Sequence, residues 1–367
     1  MNFFCNPSEL SEALSVVSKA LPLKGVVPIL EGIKIKAEGS KVTFTATDQE
    51  IFIERKINAE IKLEGETIVI GKLFADFAKK LTTLPQIQIE KSDKLVIRYG
   101  INETEMQCLN EEGYPEIEDC EDDSRSFFIK EGDFKDALEK TLFCVALDDS
   151  RPILKGCLLE VKEGVLTAVA LDGYRLALYK TKVRDEKGDI KMVISGKMLK
   201  EISNITEFNE TEIKVILQEK TVFFDLGHTK ISTRLMEGDF LQYQKIMPVN
   251  FNSLVDINKN KLEEGLDRAS LIIRNKKNNY LKLSVREKDI LIQSNSELGS
   301  IKENIDCRLE GRELEIAFNS KYLHEALSKV KEDYIKIEFT SSNAPAVLRP
   351  IEGEKFKYII LPVRLLG

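Results

Sequence analysis

The sequence is poor in the residues on which most enzyme active sites depend. Its 367 residues include only two histidines, His228 and His324, and neither belongs to an H-x-x-x-H or H-E-x-x-H arrangement that could hold a metal ion. The G-x-S-x-G, G-x-x-x-x-G-K-S/T and G-x-G-x-x-G patterns of catalytic serines and of phosphate-binding and dinucleotide-binding loops are also absent. We therefore expect no catalytic residue, no metal and no cofactor. We interpret His228 as a turn residue and His324 as a surface or partner-facing residue.

Two further absences narrow the class of protein. No run of about 18 apolar residues occurs, so we expect no membrane-spanning helix, and the first residues lack the basic start and apolar core of a signal peptide. The six cysteines form no C-x-x-C pair and are scattered at positions 5, 108, 120, 144, 157 and 307. We interpret them as reduced thiols and expect a cytoplasmic protein. With 43% hydrophobic and 31% charged residues, the composition is that of a globular protein.

The balance of charge is acidic, but it is uneven along the chain. The formal net charge is -7 and the isoelectric point is about 5.4, which argues against a nucleic-acid coat over the whole surface. Glu111–Asp123 is strongly acidic, and Glu116–Asp123 within it has the composition of a solvated loop, whereas Lys72, Lys79 and Lys80 cluster near one predicted helix. A basic face on an acidic body is therefore compatible with the sequence.

A threefold internal repeat is the most informative positive feature. A lysine follows a short β-branched run and opens an amphipathic segment three times, at Lys72, Lys197 and Lys321. The intervals are 125 and 124 residues (197 − 72 and 321 − 197), and Gly32 and Gly156 also lie 124 residues apart. Three copies of a unit this long fill the chain, so each copy is a whole domain and not one turn of a solenoid. The repetition indicates a symmetric shape, and the function of a protein can depend on such a shape directly.

The hydrophobic pattern within each repeat predicts an α+β fold with antiparallel sheets. Apolar residues recur at helical spacing in two segments per repeat, and alternating segments around them predict strands with one buried face. The predicted helices span residues 8–21, 73–84, 134–147, 197–205, 261–273 and 321–330. We expect three similar domains, 1–124, 126–250 and 251–367, each with two helices and about eight strands in the order β-α-β-β-β twice over. Each domain is then itself pseudo-symmetric.

Two local patterns have both a structural and a functional interpretation. Asp172-Gly173 is a turn signal between two alternating runs, and it indicates either a plain hairpin or a surface pocket that includes Tyr174 and Arg175. The repeated lysines are either exposed residues at helix starts or a functional strip. A lysine near a helix N-terminus opposes the helix dipole, and because this mild cost recurs at three equivalent places we favour function, with phosphates as the natural partner.

Four segments carry a resemblance to a known family. They are Arg151-Pro152-Ile153-Leu154-Lys155-Gly156, Leu171-Asp172-Gly173-Tyr174-Arg175-Leu176-Ala177, Gly238-Asp239-Phe240-Leu241-Gln242-Tyr243, and the tail Tyr358-Ile359-Ile360-Leu361-Pro362-Val363-Arg364-Leu365. At these separations and in a three-domain frame, they resemble the bacterial DNA polymerase III beta subunit, the sliding clamp, over the full chain. Val27-Pro28-Ile29-Leu30 and Thr47-Asp48 of the first repeat look similar as well.

The resemblance implies a ring and a topological mechanism. In this family two chains of three similar domains join head to tail around duplex DNA, with helices lining the hole and sheets forming the outer rim. DNA is retained because the ring is closed, and basic residues in the lining attract phosphates without reading the sequence. The implied function is that of a non-enzymatic, homodimeric processivity factor. Its implied partners are double-stranded DNA, the replicative polymerase alpha subunit, the clamp loader, repair polymerases and mismatch-repair proteins.

Candidate site residues follow from the resemblance position by position. The implied peptide-binding pocket comprises Leu154, Leu171, Gly173, Tyr174, Arg175, Leu176, Leu241, Ile246, Ala346, Ile359, Leu361, Pro362, Val363, Arg364 and Leu365. The implied DNA contacts are Lys24, Lys72 and Lys197, to which the internal repeat adds Lys321. The implied dimer interface has Met106 on one side and Leu271 and Ile272 on the other.

The residues alone leave two other functions open. One is an enzyme of an unrecognised type that uses Asp172 and Arg175 in a cleft, which the missing histidine pairs and phosphate loops disfavour. The other is a monomeric three-domain scaffold that binds peptides without encircling DNA, and it needs the same pocket as a clamp. The pocket also departs from the family pattern, because Leu171 stands where threonine is frequent and Leu241 where proline is common.

Overall fold

Six α-helices form in the parts of the chain that the computed structural model describes, which are residues 1–22, 27–116, 120, 122–273, 280–297 and 299–364. They are α1 (Pro7–Val17), α2 (Gly71–Ala78), α3 (Glu131–Glu139), α4 (Gly196–Ile205), α5 (Lys259–Ser270) and α6 (Ser320–Leu327). Each lies on a predicted helix, two to a repeat. Within the described ranges, none of the helices combines the length and the apolar character that crossing a membrane requires.

The ends of the first helix show how local chemistry sets its length. The side-chain oxygen of Asn6 accepts a hydrogen bond from the backbone N–H of Ser8 at 2.8 Å and caps the start of α1. The helix ends at Val17 and not at the predicted Leu21, because Ser18–Ala20 tightens into a 3₁₀ turn and Leu21 is extended. The apolar spacing continues through this turn, so periodicity alone could not locate the end.

The described residues form 26 strands, most of them where alternating patterns predict them. The first repeat contains β1 (Asn2–Cys5), β2 (Gly32–Glu38), β3 (Lys41–Thr47), β4 (Ile51–Asn58), β5 (Glu60–Leu63), β6 (Gly65–Ile70), β7 (Ile87–Lys91), β8 (Lys94–Tyr99) and β9 (Asn102–Leu109). The second contains β10 (Ser126–Lys130), β11 (Gly156–Lys162), β12 (Val165–Leu171), β13 (Arg175–Lys182), β14 (Arg184–Lys187), β15 (Ile190–Ser195), β16 (Glu212–Leu217), β17 (Thr221–Asp225) and β18 (Thr229–Arg234). The third contains β19 (Ser253–Asn258), β20 (Tyr280–Val285), β21 (Asp289–Ser296), β22 (Gly299–Gly311), β23 (Leu314–Asn319), β24 (Tyr334–Phe339), β25 (Ala346–Pro350) and β26 (Phe356–Ile360).

The strand order repeats with one addition to the predicted pattern. The β-α-β-β-β order occurs twice in each repeat, as predicted, but the short strands β5 and β14 were not foreseen. β5 pairs with β1 and β14 pairs with β10. In the third repeat the C-terminal part of β22, Cys307–Gly311, pairs with β19 in the same way. Glu60–Leu63 and Arg184–Lys187 are mostly exposed and polar, so neither gives a buried strand pattern.

The chain folds into two compact units, each built around one antiparallel sheet. Unit 1 contains Met1–Gly132, Arg184–Ile190 and Asn204–Leu235, and its 14 strands follow the order β14-β10-β16-β17-β18-β4-β3-β2-β6-β9-β8-β7-β1-β5. Unit 2 contains Asp133–Val183, Lys191–Ser203 and Met236–Gly367, and its 12 strands follow the order β15-β11-β12-β13-β26-β25-β24-β19-β22-β21-β20-β23. The central repeat therefore contributes strands to both sheets.

One ladder in each unit joins two consecutive repeats. In unit 1 the fourth strand of the first repeat, β4, pairs with the last strand of the second, β18, and Ile53 lies opposite Ile231. In unit 2 the fourth strand of the second repeat, β13, pairs with the last strand of the third, β26, and Ala177 lies opposite Tyr358. The two ladders are thus equivalent, because both are antiparallel and both join the same two strands of consecutive repeats.

The acidic stretch between the first two repeats is anchored at both ends. The Tyr114 hydroxyl is buried and donates to the carbonyl oxygens of Gly32 at 3.2 Å and Thr45 at 3.0 Å. At the other end Asp123 accepts a charged hydrogen bond from Lys214 at 2.8 Å. Within Glu116–Asp123, which the sequence predicts as a solvated loop, Glu116 and Asp122 are exposed and the Asp123 side chain is 43% exposed, while residues 117–119 and 121 lie outside the described residues.

Candidate functional site

The Asp172-Gly173 pattern forms a hairpin turn between β12 and β13. One carboxylate oxygen of Asp172 accepts the backbone N–H groups of Tyr174 at 2.9 Å and Arg175 at 3.0 Å. Gly173 has φ +90°, a conformation that side chains rarely tolerate. The hairpin interpretation is correct, and the turn also leaves the Tyr174 ring 60% exposed.

Arg175 joins this turn to helix α6 and to the segment after α3. Its Nε donates to Asp172 at 3.0 Å, one terminal nitrogen donates to Glu325, and the other donates to the Phe143 carbonyl at 2.8 Å. The guanidinium also lies 4.6 Å from the centre of the Tyr322 ring. With three hydrogen bonds, a ring contact and only 8% of its side chain exposed, Arg175 is a structural hub.

Four of the predicted pocket residues meet in one apolar cluster beside the turn. Leu154, Leu171, Leu176 and Ile359 are buried together. The rest of the cluster comprises Ala146, Leu158, Val169, Leu178, Val193, Phe240, Tyr243 and Val347, with Ile153, Met236, Met247 and Phe251 packed against it. These residues form a floor that is already closed to water.

Five other predicted pocket residues keep their apolar side chains exposed to solvent. Between 37% and 60% of each remains accessible, and they are Tyr174, Leu241, Ile246, Leu361 and Val363. Exposed large apolar groups are typical of a surface that a partner covers. We call the cluster and this exposed rim together the groove.

The C-terminal tail is fixed in place by its backbone. The N–H of Leu361 donates to the Tyr174 carbonyl at 2.9 Å, and the N–H of Val363 donates to the Ala317 carbonyl at 2.8 Å. Pro362 is half-buried and Arg364 is exposed, while Leu365 lies outside the described residues. The tail therefore forms one side of the groove in register with the turn.

Ala346 is a predicted pocket residue that is buried outside this cluster. Its side chain is buried, but on β25 the neighbouring Val347 belongs to the cluster, and side chains of adjacent residues on a strand point to opposite faces. Sequence reasoning also missed Tyr322, whose ring stacks on Tyr174 with centroids 5.9 Å apart. Its position directly after the repeated Lys321 was the available signal.

A cavity with apolar and charged lining residues adjoins the groove, and the buried cluster also contains a tyrosine, Tyr243. The cavity of about 600 Å³ is lined by Leu154 and Leu241 of the groove together with Arg151, Pro152, Ile153, Glu237 and Asp239. The Tyr243 hydroxyl donates to Glu160 at 3.3 Å. Burial, and then the Glu160 carboxylate, raise the pKa of Tyr243 to about 12, so its hydroxyl stays a neutral donor at physiological pH.

The repeated lysines occupy equivalent places in three helices. Lys72, Lys197 and Lys321 are each the second residue of their helix, α2, α4 and α6, and all three are exposed. Lys321 lies 3.8 Å from Glu325, one turn further along α6. Lys24 lies outside the described residues. Among the residues that the structure describes, no group of three or more histidine, cysteine or acidic side chains is placed to hold a metal ion.

Replacing Arg175 is expected to destabilise unit 2. The Arg175→Ala variant leaves the Asp172 and Glu325 carboxylates without their shared cation, and breaking a buried ion pair costs about 3 kcal/mol. Arg184→Ala is the control, because Arg184 pairs with Glu212 at 2.6 Å but is 63% exposed, and exposed pairs contribute at most about 1 kcal/mol. Free energies of unfolding from urea titrations test this, and equal losses in the two variants would contradict the hub.

Comparisons with known proteins agree with this geometry. A family model matches each of the three repeats: the DNA polymerase III beta subunit N-terminal domain at residues 1–118, its central domain at 128–242 and its C-terminal domain at 244–364. The beta sliding clamp of Halalkalibacterium halodurans is 31% identical over 99% of this chain and 100% of its own length. That of Staphylococcus epidermidis is 30% identical over 99% of both.

Solved structures of sliding clamps have the same fold. The DNA polymerase sliding clamp from Bacillus subtilis matches with a TM-score of 0.94 and 31% identity, covering 100% of this chain and 99% of its own. The DNA polymerase III beta subunit from Thermotoga maritima matches with a TM-score of 0.92 and 26% identity, covering 99% of both chains. The chain therefore belongs to the DNA polymerase III beta subunit family, the bacterial sliding clamps.

Proposed function

We propose that two copies of this chain close head to tail into a ring that encircles duplex DNA and holds polymerases through the groove. As a member of its family the chain is a DNA polymerase processivity factor. We further infer that it performs no catalysis of its own and that its domains span 1–124, 126–250 and 251–367. The replicative polymerase alpha subunit, the clamp loader, and repair and mismatch-repair proteins would compete for the groove, in the cytoplasm.

The observation that carries the ring is a pair of strand edges left unused within the chain. The strands that join repeats are the fourth and the last strand of each repeat, and the ladders β4·β18 and β13·β26 use two fourth strands and two last strands. The remaining fourth strand is β22 and the remaining last strand is β9. Among the described residues, Gly299–Asp306 of β22 pairs on one side only, with β21, and Asn102–Gln107 of β9 pairs on one side only, with β8.

The spacing of the repeats fixes the register in which these two edges would meet. Ile53 of β4 and Ala177 of β13 lie 124 residues apart, and adding the same interval to Ala177 gives Ile301 of β22. Their strand partners Ile231 and Tyr358 lie 127 residues apart, and subtracting the same interval from Ile231 gives Thr104 of β9. We therefore infer that Thr104 of one copy lies opposite Ile301 of the other.

Charges along the two edges are compatible with this register. In antiparallel pairing, one step along each strand from Thr104 and Ile301 sets Glu103 opposite Lys302, an oppositely charged cross-strand pair. Because each copy offers one β9 edge and one β22 edge, the contact is heterologous and closes at two copies when the rotation is right. A ring leaves neither edge open to further chains, which also protects against aggregation.

The end of helix α5 supports the same interface. Arg268 donates two hydrogen bonds to Glu303 of β22, at 3.0 Å and 2.9 Å, so this helix is tied to the open edge. Leu271 follows one turn later and is 57% exposed. On the opposite edge the Met106 side chain is buried within unit 1, so its backbone and not its side chain would meet the partner.

Retention on DNA tests the topological mechanism. We expect the protein loaded on nicked circular duplex by a clamp loader to co-elute with the DNA in gel filtration and to be released when a restriction enzyme linearises the circle. The reason is that a closed ring leaves DNA only at an end or by opening. Equal retention on circular and linear DNA would contradict encirclement.

The lysines provide a second, independent measurement. Replacing Lys24, Lys72 and Lys197 by alanine should lower the slope of log K against log salt by roughly 0.9 for each phosphate group that a lysine no longer neutralises. The control replaces Lys41, Lys191 and Lys288, which are exposed and lie on strands or between them, so the change in net charge is the same. A slope that falls as much in the control would place the phosphate-binding residues elsewhere.

A further inference from the structure

Glu325 on helix α6 is shared between two cations. One of its carboxylate oxygens accepts a hydrogen bond from Arg175, and the other lies 3.8 Å from the ammonium group of Lys321. Arg175 belongs to the groove, whereas Lys321 is one of the lysines assigned to DNA. A single carboxylate therefore connects the two proposed binding sites within unit 2.

The two contacts of Glu325 are unequal in strength. Lys321 is 65% exposed, and its ammonium nitrogen lies 3.8 Å from the Glu325 carboxylate, which is long for an ion pair. A lysine placed four residues before a glutamate is also the less favourable order on a helix. Arg175 is nearly buried and is held by three further groups, Asp172, the Phe143 carbonyl and the Tyr322 ring. A phosphate can therefore draw Lys321 away from Glu325, while Arg175 stays in place.

Movements at Glu325 reach the groove through short contacts. Arg175 is bonded to Asp172, and Asp172 in turn fixes the backbone of the Tyr174 turn. The Tyr322 ring, three residues before Glu325, stacks on the Tyr174 ring, and the Tyr174 carbonyl holds the tail through the Leu361 N–H. Helix α6, the turn and the tail are thus one connected assembly.

We propose that Glu325 is a positioning residue that couples phosphate binding at Lys321 to peptide binding in the groove. When Lys321 turns to a phosphate, Glu325 loses one of its two cations and its full charge acts on Arg175. The turn is then held more firmly in the conformation that accepts a peptide. Linkage makes the effect mutual, so an occupied groove also favours phosphate at Lys321 by the same factor. This inference rests on the proposed function, in which Lys321 contacts DNA and the groove binds partner peptides.

Two substitutions test the coupling without DNA: one removes the lysine that competes for Glu325, and the other removes the charge of Glu325. The probe is a fluorescein-labelled peptide ending in a Leu-Phe pair, titrated by fluorescence anisotropy. Lys321→Ala removes the competing cation, as a phosphate would, and should tighten binding about twofold, the size of an exposed i,i+4 pair. Glu325→Gln should weaken binding about tenfold, because the buried arginine loses one of its two carboxylate partners and keeps only Asp172. Combining the two should give the affinity of Glu325→Gln alone, since Lys321 acts only through Glu325.

The control for these variants lies on the neighbouring helix of the same repeat. Lys259 begins α5 and pairs with Glu263 at 2.9 Å in the same i,i+4 spacing, but no contact joins this pair to the groove hub among the described residues. Lys259→Ala should leave the peptide affinity unchanged. Equal effects of Lys321→Ala and Lys259→Ala, or additive effects in the double variant, would overturn the coupling.

A loaded-DNA arm measures the linkage directly. On nicked circular DNA the unsubstituted protein should bind the peptide more tightly than in free solution, and Lys321→Ala should bind with equal affinity in both. If the unsubstituted protein binds the peptide with the same affinity in free solution and on DNA, the proposed coupling is wrong, but the proposal that the groove binds peptides is unaffected. If the unsubstituted protein does not bind the peptide at all, the groove assignment fails, and the coupling with it.

Discussion

A chain carrying Leu271→Ala and Ile272→Ala is expected to sediment as a monomer of 41.7 kDa, while the unsubstituted protein sediments at twice that mass. Leu271 is 57% exposed and follows helix α5, which is tied to the open edge of β22. Burying one such side chain stabilises a contact by about 1.5–3 kcal/mol, and the ring has two identical interfaces that each lose both. Analytical ultracentrifugation at micromolar concentration measures the outcome.

Charge reversal gives this prediction a matched control. Glu103→Lys and Lys302→Glu each set like charges opposite one another in the proposed register, and each should weaken the dimer, whereas the double variant restores an opposite pair and should recover it. A far-UV circular dichroism spectrum like that of the parent shows that the variants are folded. If the alanine variant stays dimeric, or if the double reversal recovers nothing, the interface lies elsewhere or the register is wrong.

Local patterns in the sequence were sufficient for most of the fold. The alternation of Val42, Phe44 and Ala46 marks a strand because each of these residues is buried on one face of β3. Where the pattern failed, an element was either exposed or ended by hydrogen bonding. Ser18 is one such case, since its hydroxyl donates to the Leu14 carbonyl at 2.5 Å in the tightened turn that follows α1.

The groove was predictable only in part, because its contacts join distant parts of the chain. The Asp172-Gly173 pair is sufficient to predict a turn. Nothing near it in the sequence indicates that Arg175 donates a hydrogen bond to Glu325, which lies 150 residues away. The resemblance supplied the apolar residues of the floor, such as Leu154 and Ile359, which the structure brings together. It could not distinguish Ala346 from Val347, since only the strand register decides which one faces the cluster.

The tail provides the largest effect expected at the groove. Deleting Pro362 to Gly367 removes the exposed Val363 and the hydrogen bond from its N–H to the Ala317 carbonyl. The unsubstituted groove should bind a peptide ending in a Leu-Phe pair with roughly micromolar affinity, from two anchors of about 1.5–3 kcal/mol each and some backbone hydrogen bonds, less the ordering costs. Without one side of the groove, we expect no binding detectable by calorimetry.

This deletion separates the groove from the ring because the tail and the open edges belong to different strands. Val363 follows β26, whereas the proposed ring contacts use β9 and β22, so the truncated protein should keep its dimer mass and its retention on circular DNA. A shortened chain that loses its dimer as well would show that the tail also supports the fold of the third repeat. Undiminished peptide binding would move the partner site away from Tyr174, Leu361 and Val363, because a peptide lying between the turn and the tail cannot keep its affinity when the tail is gone.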